Sequence, residues 1–154
     1  MKKNLVIVII SLIMMSCGAD VVYTEFKNMP VNGWEAKDVK NYNPIITDTL
    51  ADYEIQLTVR HTDAYPYQNM WLFVTIEKDT NVVKTDTIEC YLANERGEWL
   101  GSGLSVKELP LIYEENYKFA RSGEYKIKLQ QGMREEALKG ITDVGVQVVK
   151  NKSK

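Results

Sequence analysis

From Tyr53 the chain alternates between apolar and polar residues. Tyr53, Ile55, Leu57 and Val59 are separated by Glu54, Gln56, Thr58 and Arg60, a period of two that predicts a strand with one face turned inward. Residues 70–76 are apolar at nearly every position and rich in aromatic and β-branched types, as expected of a central strand covered on both faces. Lys78-Asp79-Thr80-Asn81 predicts a turn, and residues 82–92 a further strand with Ile88, Cys90 and Leu92 on one face. Asn94-Glu95-Arg96-Gly97 predicts another turn, leading into Glu98-Trp99-Leu100-Gly101. Tyr125, Ile127 and Leu129 alternate with Lys126, Lys128 and Gln130, and Val144, Val146 and Val148 mark the last strand. Helical spacing is nearly absent; residues 134–139 can make a turn or two, ended by Gly140. The pattern predicts an all-β fold: an antiparallel β-sandwich, jelly-roll or Greek-key-like, with at most one short helical turn.

The N-terminus follows a different rule. Lys2 and Lys3 precede an apolar run over residues 5–15, about 11 residues, whereas a helix crossing hydrocarbon needs roughly 20. The run therefore reads as the hydrophobic part of a signal peptide. Met14-Met15-Ser16-Cys17 resembles a lipobox, with small Ser16 immediately before the cysteine, so cleavage before Cys17 and lipid on Cys17 are expected. A single acyl chain binds membrane only marginally, and the two or three of a bacterial lipoprotein make retention effectively permanent. Gly18-Ala19-Asp20 carries no acidic cluster, which favours an outer-membrane lipoprotein facing the periplasm. The expected organisation is a signal peptide at 1–16, a lipidated leader at 17–43, a sandwich domain at 44–150 and a basic tail at 151–154.

Composition narrows the function. The 154 residues carry a formal net charge of −2 and no basic patch, so nucleic acid is not an expected partner. With Cys17 taken by lipid, Cys90 stands alone in an apolar strand and is expected as a buried, inert thiol. His61 is the one histidine, and it falls on the inward side of its strand. None of Ser102, Ser105, Ser122 and Ser153 sits in a nucleophile elbow, and no metal-ligand spacing occurs. No catalytic residue, metal or cofactor is expected.

Several word-like segments stand together: Arg60-His61-Thr62-Asp63-Ala64-Tyr65-Pro66-Tyr67-Gln68-Asn69-Met70-Trp71-Leu72-Phe73-Val74, then Gly97-Glu98-Trp99-Leu100-Gly101-Ser102-Gly103, and near the end Gly140-Ile141-Thr142-Asp143-Val144-Gly145. With the lipobox ahead of them they resemble the gliding-motility lipoprotein GldH family of Bacteroidota. The resemblance implies an envelope lipoprotein of the gliding machinery or of a homologous system, with no established catalytic residues. Two expectations follow from the residues themselves. Tyr65, Pro66 and Tyr67 lie in a connection that should run over the surface, and with Trp99 they form a candidate docking patch for a protein partner. The same aromatics, beside Asp63 and Asn69, would also suit stacking on peptidoglycan or a surface polysaccharide. Asp48-Thr49-Leu50 and Asp86-Thr87-Ile88 resemble periplasmic O-glycosylation acceptors, with Thr49 expected as the more accessible of Thr49 and Thr87.

Overall fold

The alternating segment at Tyr53 becomes an inner strand of a four-stranded sheet. A computed structural model describes residues 19–152. In chain order the strands are β1 (Asp20–Asn28), β2 (Trp34–Glu35), β3 (Lys40–Tyr42), β4 (Ile45–Ile46), β5 (Tyr53–His61) and β6 (Asn69–Lys78). They continue as β7 (Asn81–Tyr91), β8 (Lys107–Tyr117), β9 (Gly123–Gln131), β10 (Ala137–Leu138) and β11 (Ile141–Lys150). One sheet has the order β1-β11-β5-β8; the other has β3-β9-β6-β7, with β4 also on β9. Every pairing is antiparallel. This is the expected antiparallel sandwich, and the described residues include no helix. The signal segment and Cys17 lie outside the described residues, as do Ser153 and Lys154 of the tail.

The inward faces meet in one core. Tyr53, Ile55, Leu57 and Val59 of β5 and Val144, Val146 and Val148 of β11 face Met70, Leu72, Val74 and Ile76 of β6 and Ile127 and Leu129 of β9, all buried. Tyr42 crosses between the layers: its phenol donates to the Val144 carbonyl at 2.7 Å, and burial pushes its pKa well up. Register defines two ends. Asp20, Lys150, Tyr53 and Tyr117 line up at one, and Asn28, Asp143, His61 and Lys107 at the other. At the Tyr53 end, Phe119 stacks edge-on against Tyr53, Tyr117 and Tyr125 with ring centroids 5.3, 4.7 and 4.6 Å away.

Two expectations are corrected. The leader expected at 17–43 is built into the domain: β1 completes the four-stranded sheet against β11, β3 pairs with β9, and Trp34 is wholly buried. Its periodicity is weak because β1 is an edge strand with no fully buried position. The helical turn expected at 134–139 is a series of bends ending in β10, because Ala137 and Leu138 pair with Glu35 and Trp34. Gly140 does take a positive φ of 85°, but at a turn into β11, where its lack of a Cβ matters most. A Cβ there would stand 2.4 Å from the Tyr65 nitrogen.

Candidate functional site

The loop 62–68 leaves β5 at the His61 end and immediately folds back on itself. Tyr65 N donates to the Thr62 carbonyl at 3.1 Å, and Thr62 N donates to the Gly140 carbonyl at 2.8 Å. That geometry sends Tyr65 inward. It is 2 % exposed, and its phenol donates to the Asn69 carbonyl at 2.9 Å. Its ring lies 5.9 Å from that of His61 and 5.8 Å from that of Tyr67. Tyr65 is therefore a core residue, and the docking patch expected from Tyr65, Pro66, Tyr67 and Trp99 does not form as a unit. Trp99 is half-buried, held edge-on 4.5 Å from the His61 ring, its backbone bridged to Ala93. Pro66 and Tyr67 remain at the surface. Tyr67 donates to Glu135 Oε1 at 2.6 Å, which raises the phenol's pKa.

Tyr67 belongs to a different constellation. β6 alternates cleanly, so while Met70, Leu72, Val74 and Ile76 enter the core, Trp71 and Phe73 project outward at 38 % and 41 % exposure. Around them the outer face is wet: Phe73 sits opposite Thr87 on β7 and Gln130 on β9, and Trp71 opposite Glu89. The strand expected to be covered on both faces is covered on one. The signal was in the neighbours, because the polar residues of β9 (Lys126, Lys128 and Gln130) require that face to meet water. Gly132 lets the aromatics settle onto the backbone, since a Cβ there would touch the Phe73 ring at 3.2 Å. Met133 folds over the same spot, its sulfur 3.4 Å from the Trp71 nitrogen. A shallow groove results, lined by Tyr67, Trp71, Phe73, Met133 and Arg134.

Several of the polar groups around this groove are already engaged. Glu135 accepts from Tyr67, and Glu89 accepts from Asn69 at 2.5 Å and from Tyr91 at 2.9 Å. What the groove offers a visitor is apolar and aromatic surface with a guanidinium at its rim. Trp, Tyr, Phe, Met and Arg are the types enriched where proteins meet.

His61 lies behind the groove and is fully buried. Its Nδ1 is 3.1 Å from the Thr62 carbonyl, so the proton sits there, and Nε2 has no hydrogen-bond partner. Neither a hydroxyl nor a carboxylate engages the ring, which is packed between Tyr65 and Trp99. No cluster of metal-ligating side chains occurs among the described residues. Burial lowers the His61 pKa from its ordinary 6.5. Below that value the unfolded chain takes up a proton that the folded chain refuses, so the stability present above pH 6.5 is lost as pH falls toward the folded pKa. The melting temperature is expected to drop between pH 7 and pH 5, and to drop less in His61→Phe; equal drops in both proteins would discard this assignment.

Two further positions change rank. Thr87 is exposed on the outer face of β7, whereas Thr49 is half-buried in the turn before β5, the reverse of the expected accessibility. Cys90 is buried on the inward face of β7 as expected, and burial pushes its thiol up to about 12, far from the reactive range.

The family model described as GldH lipoprotein matches residues 21–148. The gliding motility lipoprotein GldH of Flavobacterium johnsoniae is 32 % identical to this chain over 155 residues, covering 96 % of each. A GldH homolog from Christiangramia forsetii is 35 % identical over 144 residues, covering 88 % of each. Among solved structures, dimeric latent PorU from Porphyromonas gingivalis superposes on 88 % of this chain, which spans 14 % of that one, with a TM-score of 0.36 and 11 % identity. That superposition is too loose to carry an argument.

Proposed function

Because the chain belongs to the GldH lipoprotein family, in which the Flavobacterium johnsoniae relative is named a gliding motility lipoprotein, we propose that it is a lipid-anchored outer-membrane component of gliding or a related envelope machinery, facing the periplasm and acting by protein docking. In this reading it performs no chemistry. The observation that carries the docking role is the groove of Tyr67, Trp71, Phe73, Met133 and Arg134 on a sheet face whose neighbouring positions include Thr87, Glu89, Lys128 and Gln130. Solvated sheet faces do not ordinarily keep a Trp and a Phe side by side unless something covers them. The make-up of the groove, with Tyr67, Trp71, Phe73, Met133 and Arg134 as the types enriched where proteins meet, favours protein over glycan.

Trp71→Ser with Phe73→Ser is expected to abolish recovery of crosslinked protein partners from detergent-solubilised membranes. The outward position of both side chains should keep the melting temperature within a few degrees. Unchanged partner recovery would sink the docking role, and retention of the wild type, but not the variant, on purified polysaccharide would transfer the groove to glycan. Anchoring is tested separately. Cys17→Ala is expected to release the chain from membranes or leave an uncleaved precursor, with labelled palmitate entering the wild type only.

A further inference from the structure

The point where the chain enters the fold restricts which part of the sandwich can meet a membrane. The inference drawn from it rests on the lipid at Cys17 proposed above. Only Gly18 and Ala19 separate Cys17 from Asp20, the first residue of β1. Three peptide steps reach at most about 10 Å, so the lipid-bearing residue cannot stray far from the Tyr53 end. Asp20 pairs with Lys150, whose ammonium lies 2.7 Å from Asp48 Oδ2, and Asp48 Oδ1 in turn accepts from Leu50 N at 2.9 Å. These links place the turn carrying Leu50 beside the tether.

That turn has an unusual surface. Leu50 is 90 % exposed, Ile45 60 %, and Val21 and Val22, the second and third residues of β1, 46 % and 36 %. β1 packs against β4, which carries Ile45. Two carboxylates beside this turn are matched by ammonium groups, Asp48 with Lys150 and Asp52 with Lys118. Exposed aliphatic side chains beside a two-residue tether are suited to the boundary between headgroups and acyl chains, where apolar side chains gain by burial. Opposite them, the groove of Trp71 and Phe73 belongs to the other end. β6 and β9 bring it beside the His61 end, because Asn69 and Gln131 lie there while Lys78 and Gly123 lie with Tyr53. β5 spans nine residues, so the two ends are about 25 Å apart.

We propose that the Tyr53 end rests on the bilayer surface, with Leu50 and Ile45 reaching its apolar boundary. The fold then stands upright and holds the aromatic groove away from the lipid.

The test uses the full chain, processed with its own signal and reconstituted into phosphatidylcholine–phosphatidylglycerol vesicles. An environment-sensitive fluorophore is attached at Leu50→Cys, or at Val31→Cys, which is fully exposed at the opposite end. Cys90 is buried and Cys17 acylated, so the introduced thiol takes the label. With nitroxide-bearing lipids in the vesicles, the label at position 50 should lose most of its emission and the label at position 31 should keep its own. Equal emission from the two labels, in protein whose mass includes the acyl chains, overturns the orientation and leaves the anchor standing. Protein without the acyl mass overturns the anchor, and the orientation falls with it.

Discussion

Trp34→Ala is expected to lower the melting temperature by roughly 10–20 °C, because truncating a fully buried tryptophan typically costs about 3–5 kcal/mol in a domain of this size. Trp34 is wholly buried and anchored twice: its indole N–H donates to the Asp38 carbonyl at 2.7 Å, and its backbone pairs with Leu138 of β10. The turn that delivers it uses Gly33 at a φ of 112°, where a Cβ would lie 2.7 Å from the Leu138 carbonyl oxygen. Gln130 reaches from β9 to the Ala36 carbonyl at 2.7 Å, tying the same segment to the second sheet. A chain in which residues 20–43 were a loose leader would tolerate the change, since an exposed aromatic contributes little to stability. A melting temperature within two or three degrees of wild type would return this segment to the status of a linker.

The segment shows where sequence pattern was informative and where it was not. β5, β9 and β11 were legible because each is an inner strand of its sheet with a continuous buried face, which leaves a period-two signature. The turn at Asp79 and Thr80 was legible as well, and both residues there adopt positive φ. β1 and β8 were not, and both are edges. An edge strand needs only partial burial, so β8 can hold Pro110 and the pair Glu114-Glu115 without losing its place. Short pairings such as β2 with β10 are decided by contacts more than 100 residues apart in sequence, beyond the reach of any local pattern. The groove followed the same logic. Pro66 and Tyr67 announced themselves through their position in a connection, whereas Trp71 and Phe73 looked like core until their neighbours' polarity was weighed.

Separating Tyr65 from Tyr67 should separate stability from docking. Tyr65→Ala is expected to cost about 3–5 kcal/mol, the range for deleting a buried aromatic ring. Two losses combine there: the ring leaves a cavity beside His61, and the Asn69 carbonyl loses the phenol's donor. Tyr67→Ala removes a half-buried ring and an exposed hydrogen bond to Glu135, and should shift the melting temperature by only a few degrees. Partner recovery should respond in the opposite order. Tyr67→Ala weakens capture by uncovering Glu135 and removing one wall of the groove, while Tyr65→Ala, assayed well below its lowered melting temperature, retains capture because its ring never reaches the surface. Tyr65→Phe sharpens the contrast, keeping the ring and deleting only the phenol that donates to Asn69; it should recover most of the stability lost in Tyr65→Ala. Equal stability losses from Tyr65→Ala and Tyr67→Ala would contradict the burial of Tyr65. A folded Tyr65→Ala protein that failed to capture partners while Tyr67→Ala captured them normally would move the docking surface off the outer face of β6 and into the loop that precedes it.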